Sequence, residues 1–526
     1  MPLFISCEKG KKSIVKCLFE HGADINIKDD LGEKLLFNAC EKGNKGIVKY
    51  LIEHGVDFNK ENLGKILLFN ACEKGNKAIL TCLVEHGIDI NEKNYKGETP
   101  LFNACRSGNE AIMKYLVKHG ADINKENDGG KTPLFNACRS GNEVIVKYLV
   151  EQGADINKKD NYDETPLFDA CRSGDVSIVK YLVEHGAYVN KENDKGKTPL
   201  INACRSENEA IIKYLIEQGA DLNKDNLSEK LLFNACENGN EAILTCLIEH
   251  GVDVNKENDK GKTPLINACR SGNEAIVKYL VEYGAGVNKE NNWGETPLFV
   301  SCKNRNEAII KYLVEHGADV NKENNKGRTP LINACENENE VIVKYLVEHG
   351  AGINKGDNWG ETALFVSCKN GNEAIVKYLV EHGADVNKKD NYGETSLFDA
   401  CRSGNEDIVK YLVEHGTDIK MINNFGKTPL FISCENGNEA IVKYLVENGA
   451  EVNEKSKIGE TPLFSACRSR NEGIVKCLVE HGAYVNEKNN KGETPLFISR
   501  KNGKKGISMY LIENGAEANN KRIRVK

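Results

Sequence analysis

The chain has 526 residues, with 71 basic against 78 acidic side chains and a net charge of −7. So balanced a composition argues against a protein dedicated to nucleic acid or to anionic membranes. No run of roughly 18 apolar residues and no charged-then-apolar leader occurs, so neither a transmembrane span nor a signal peptide is expected.

The organisation shows in one residue type. Cys stands at 7, 40, 72, 105, 138 and onward to 467, in steps of 33 apart from two of 32, and Arg500 closes the series. About sixteen copies of one unit therefore tile residues 1–520, and 521–526 is a basic tail. A chain this long would otherwise suggest several domains.

The copy at Gly97–Gly129 serves for all. Thr99 is a natural N-cap, and Pro100 suits the first helical position, where its missing N–H costs nothing. A short helix through Leu101, Phe102, Ala104 and Cys105 ends at Gly108. Asn109 caps a second helix, in which Ile112, Met113, Leu116 and Val117 recur at helical spacing. Gly120 ends that helix, and residues 121–129 read as an extended hairpin loop. One unit has two half-covered apolar stripes that only stacked neighbours can bury. The expectation is an all-α solenoid, a curved rod on the order of 150 Å long at usual helix-packing distances.

In chain order, Met1-Pro2-Leu3-Phe4 opens inside a unit, as at the end of an array or in a fragment of a longer protein. Units 2, 3 and 8 carry Lys34-Leu35, Ile66-Leu67 and Lys230-Leu231 where Thr-Pro belongs, losing a cap worth about 1 kcal/mol. Residues 60–68 and 224–232 are therefore the expected weak joints, as tolerated irregularities or as hinges. Asn292-Trp293-Gly294-Glu295-Thr296 returns as Asn358-Trp359-Gly360-Glu361-Thr362, a segmental duplication. The last unit turns basic at Arg500, Lys501, Lys504 and Lys505, either a C-terminal cap with a frayed tail or a patch for nuclear import or an acidic partner.

Thr-Pro-Leu, the following Ala, the Gly-Asn turn, Ile-Val-Lys-Tyr-Leu-Val-Glu and Gly-Ala-Asp-Val-Asn (as in Gly317–Asn321) together resemble the ankyrin repeat. The resemblance covers essentially the whole chain. The family's His after Thr-Pro-Leu is Phe or Ile here, as at Phe102 and Ile332, and its second Ala is Cys. The resemblance implies an ankyrin solenoid that binds proteins through loop fingers and the adjoining first-helix surface.

Nothing in the pattern builds a catalytic centre, and the expected reading is no enzyme, no cofactor and no metal. All eleven His recur just before the Gly ending the second helix, where Gln152, Tyr283 and Asn448 also serve. A site needs different residue types converging on one point. Gly-Lys-Thr at 196–198, 261–263 and 426–428 lacks the Gly a phosphate loop needs, with Lys191, Lys256 and Met421 in its place. The fifteen periodic Cys fall where a small buried residue is needed, one helix-packing step apart and beyond disulfide reach. They read as reduced, in an intracellular protein of the cytoplasm or nucleus.

Binding belongs where the framework leaves the residue free. That position precedes the loop Gly, running through Leu31, Leu63, Lys96, Gly129, Tyr162, Lys195, Leu227, Lys260, Trp293, Lys326, Trp359, Tyr392, Phe425, Ile458 and Lys491. Tyr162, Trp293, Trp359, Tyr392 and Phe425 are candidate protein-binding anchors. The alternative is that they fold onto neighbouring loops. The leading expectation is a non-enzymatic scaffold or adaptor whose concave loop face grips a protein, without small-molecule substrate, nucleic acid or membrane insertion. Alternatives are an elastic structural solenoid, or the recognition arm of an enzyme whose catalytic domain lies outside this chain.

Overall fold

The computed structural model describes residues 2–22, 31–56, 63–206, 208–469 and 471–517. Among them every regular element is a helix, and an isolated bridge between Gly356 and Thr362 is the one β pairing. Two compact units result, 1–232 with 242–252 and 233–241 with 253–526. Within each, first helices pack on the first helices of neighbouring repeats and second helices on second helices. The tail 521–526 and residues 60–62 of the first joint lie outside the described residues.

The repeat at 97–129 folds as its residues dictate. Its first helix spans Pro100–Ser107 and its second Glu110–Lys118. Leu101, Phe102, Ala104 and Cys105 from one and Ile112, Met113 and Leu116 from the other are fully buried. Each large side chain so buried contributes roughly 1.5–3 kcal/mol. Gly108 closes the first helix at φ +70°, where a Cβ would be strained. Asn109 caps the second by accepting from Ile112 N at 3.0 Å.

Thr99 behaves differently from a side-chain cap. It holds the N-cap position in extended conformation, yet its hydroxyl makes no capping bond. Phe102 N donates instead to the Thr99 carbonyl at 2.9 Å, a tighter first turn that leaves the buried Oγ1 without a partner. Thr132, Thr165 and Thr198 follow the same pattern. Thr263, Thr296, Thr329, Thr428 and Thr494 cap through the hydroxyl.

The repeats without Thr-Pro do not simply lose a cap. Their first helices start about a turn early, at Leu31–Glu41, Leu63–Glu73 and Leu227–Asn238. Losing Pro alone does not do this, since Ala363–Asn370 and Ser396–Ser403 keep their Thr and start in the usual place; where Thr and Pro are both replaced, the helix runs back through the place of the hairpin turn. Leu63 and Leu227 are consequently not loop tips but buried first residues of helices.

Cysteine chemistry follows from burial. All 19 Cys are free, and the periodic ones are buried apart from half-buried Cys204. Desolvation lifts their thiols, Cys72 to about 12. That direction is opposite to a reactive thiolate.

Candidate functional site

The second-helix surface is uniform. Each of the eleven His donates Nδ1–H to the carbonyl four residues back, as His349 does to Tyr345 at 2.7 Å. Its ring lies 4.0 Å from the Tyr345 ring, and Lys311 Nζ sits 5.9 Å from the same ring. Glu340 pairs with Lys344 in the same helix. Where Cys replaces the Tyr, its sulfur meets the His instead, at 3.9 Å for Cys82 and His86. Burial raises the Cys82, Cys246 and Cys477 thiols, with nearby glutamates adding to the effect. A surface that repeats its own internal pairing carries no positional information.

The hairpins are different. Most are braced by an Asn or Asp at the base, whose Oδ1 accepts two main-chain N–H groups, while Ser456 in that place accepts Glu460 N alone through its hydroxyl. Asp390 takes Tyr392 N at 2.9 Å and Glu394 N at 2.8 Å. Successive hairpins are then tied tip to tip. Asn391 N donates to the Trp359 carbonyl at 2.9 Å, Asn424 N to Tyr392 at 2.8 Å and Lys457 N to Phe425 at 3.0 Å. Asn side chains add a parallel rail, such as Asn391 Nδ2 to the Asn358 carbonyl at 2.9 Å. At Gly360 the fingers approach so closely that a Cβ would stand 2.9 Å from Asp390 Cα.

A second ladder joins the other ends. Asn321 donates Nδ2 to the Gly350 carbonyl at 2.9 Å and accepts Gly352 N at 2.7 Å. The Asn ending Gly-Ala-Asp-Val-Asn is thus a bolt between repeats.

On this frame Tyr162, Trp293, Trp359, Tyr392 and Phe425 are all 43–59% exposed. Their main chains are fixed and their rings stand partly open. Trp293 is partly covered, with Lys262 Nζ 5.9 Å from its ring. The five are divided between the two units, Tyr162 in the first and the others in the second.

Sequence reasoning passed over Tyr95, which is 87% exposed. It stands beside a cavity of about 690 Å3 lined by Phe37, Ile66, Phe69, Asn103 and Arg106 among others. The lengthened helix Leu63–Glu73 forms its floor, where an ordinary repeat would raise a finger. The signal was available, since a missing Thr-Pro beside a normal hairpin marks a gap in the row. Arg106 and Glu98 pair across its edge at 2.6 Å. The buried Asn103 leaves Oδ1 without a partner there, whereas Asn136, Asn267 and Asn333 reach the preceding repeat's carbonyl at 3.4, 3.2 and 3.3 Å.

Two repeat pairs carry buried carboxylates on the first helix. Asp169 is 1% exposed and is held by Lys131 at 3.0 Å, Arg139 at 3.0 Å and Arg172. Asp399 stands in the same register further on, with Arg402 Nη1 at 2.6 Å. Burial lifts its carboxyl to about 6; Arg402 opposes this while Glu361 and Glu394 add to it. Burial raises Glu361 and Asp390 as well.

Helix-turn-helix repeats edged by hydrogen-bonded hairpins define a class of repeat protein built by stacking like units on one another. A family model described as ankyrin repeats (3 copies) matches ten overlapping segments, from 3–94 through to 452–522. The chain belongs to the ankyrin repeat family. Such repeats are in general protein–protein interaction modules. A search of curated proteins gives no match. No helix among the described residues is long and apolar enough to cross a membrane.

Proposed function

We propose that this protein is a non-enzymatic scaffold or adaptor that holds a protein partner against its hairpin tips and first helices. The observation that carries the reading is the aromatic row at Trp359, Tyr392 and Phe425. These are large, half-exposed rings on consecutive fingers whose backbones are already tied together. A pre-ordered aromatic anchor loses little entropy on binding, which is what hot spots require. Trp293 stands two fingers before Trp359 in the same unit, and Tyr162 offers a like ring on a finger of the other unit. The helix-end histidines, each bonded to its own helix, support a binding rather than a catalytic role. Nineteen free thiols suit a reducing, intracellular compartment.

The test compares the intact chain with a variant carrying Trp293→Ala, Trp359→Ala, Tyr392→Ala and Phe425→Ala in affinity capture from source-cell lysate. Circular dichroism first establishes that both are equally helical. A partner held by the intact chain and lost by the variant supports the reading. Equal capture by both removes the aromatic tips as the anchor.

A further inference from the structure

At several hairpins the residue after the Gly reaches the base of the next hairpin, and the chain displays what can stand there. Lys131 Nζ lies 3.5 Å from Asp160 Oδ2 and 3.0 Å from Asp169 Oδ2. Arg328 Nε lies 3.4 Å from Asp357 Oδ2. Lys262 in the same place stands over Trp293 on the next finger. Asp160, Asp357 and Asp390 are the three described aspartates at hairpin bases. The first two receive a cation from the preceding repeat. Before the third, Glu361 stands in the cation's register, with Asp390 among its charged neighbours.

The two carboxylate pairs are otherwise near copies. Asp390, Glu394, Asp399 and Arg402 repeat the register of Asp160, Glu164, Asp169 and Arg172, and Lys369 stands for Arg139. In the earlier site three carboxylates meet three cations. In the later one four carboxylates meet two. The Glu361 carboxylate makes no hydrogen bond or ion pair among the described residues. Asp399 is 7% exposed and uses Oδ1 for Arg402. Its Oδ2, equivalent to the atom that takes Lys131, accepts no hydrogen bond among the described residues. The remaining charged neighbours are Arg328, Asp357 and Lys369, and Arg402 is divided between Asp399 and Glu394. Asn423 Nδ2 occupies the other side of Glu394 at 2.7 Å. Among the described residues, no group of three or more His, Cys, Asp or Glu is arranged to hold a metal ion.

From this we infer that Glu361, Asp390 and Asp399 form a receptor slot for a lysine or arginine side chain of the partner protein. The incoming cation takes the place that Lys131 fills from within the chain in the earlier repeats. It lies beside Tyr392 as Lys262 lies beside Trp293, so a ring face adds to the carboxylates. A charge left over among half-buried carboxylates attracts a cation more strongly than the same charge in water. The inference rests on the reading of the finger row as the binding face and adds the chemistry of one anchor.

The test uses the full chain on two immobilised heptapeptide libraries with random flanks, one with Lys or Arg fixed at the centre and one with Gln. Wild type should be retained at least tenfold better on the basic library. Glu361→Lys supplies the missing cation internally and should abolish that preference, as should Asp399→Asn. Lys131→Glu should open a second slot at Asp160 and Asp169 and increase retention. Should Glu361→Lys prove less helical than wild type, Glu361→Gln carries the test with a partial loss. Equal retention on both libraries, or a preference untouched by Glu361→Lys and Asp399→Asn, overturns the slot. Such an outcome leaves the finger reading to the aromatic variant, whose retention is measured alongside.

Discussion

Asp399 shows how burial and like-charged neighbours act together on a carboxylate. Asp399 and Asp169 both sit buried on a first helix in the same register, and both keep an arginine three residues on. Lys131 against one and Glu361 against the other is the difference of sign. Burial, helped by Glu361 and Glu394, puts Asp399 near 6 against an ordinary 3.8. Between those values the folded chain holds a proton that the unfolded chain has released. Folded stability must then fall as pH rises through that window, and the contribution is gone above about 6. Glu361→Gln removes one like charge, so the wild-type slope between pH 4 and 6 should flatten. The gain at pH 7 should be under about 1 kcal/mol, because half-exposed Glu361 is screened by solvent. Urea unfolding followed by Trp359 fluorescence, in a Trp293→Phe background, reads this region directly. Identical pH slopes in the two proteins would show that Glu361 does not bear on Asp399.

At the scale of the repeat, the fixed residues are those that bond across repeats. Asn321 makes two such bonds, to Gly350 and from Gly352. Asn321→Ala should therefore cost about 2 kcal/mol, two hydrogen bonds at about 1 kcal/mol each. Hydrogen exchange should show the loss at Gly352 N first. An unchanged exchange rate there would mean that solvent replaces the bond without cost. This pairing also marks how far the sequence could be read. The helices, the Gly stops and the Asn109 cap were legible because each follows from a residue's own backbone preferences. The bracing of the hairpin by Asp390 and the bolt at Asn321 were not, because both are bonds between distant positions that periodicity registers only as a recurring letter. The absence of Thr-Pro in units 2, 3 and 8 was legible as an irregularity. Its result was not, since whether a helix loses a cap or gains a turn depends on where Leu63 and Leu227 find cover. The exposed tips were legible at Trp359 and Tyr392, yet Tyr95 was hidden one residue from the framework position.

For the whole molecule, periodicity makes a statement about what can be removed. Each repeat contacts chiefly its neighbours, so stability is approximately a sum of repeat and interface contributions. Deleting residues 295–327 joins Gly294 to Arg328 and takes out one full period, restoring every helix and finger to a like neighbour. Helicity per residue should be unchanged and the urea midpoint lowered only slightly. Deleting 311–327 instead removes the greater part of one second helix and the hairpin after it. The first helix Pro297–Lys303 then loses its cover, and Leu298 and Phe299 lose their burial. That variant should lose several kcal/mol, as buried Leu and Phe side chains become exposed at roughly 1.5–3 kcal/mol each. The full-period deletion also separates two ideas of function. It leaves Trp359, Tyr392 and Phe425 on consecutive fingers while shortening the array by one repeat. A partner anchored on those three tips should bind the shortened chain with wild-type affinity. A role that depends on length should respond to the deletion, and the four-alanine variant should then be the one that behaves as wild type.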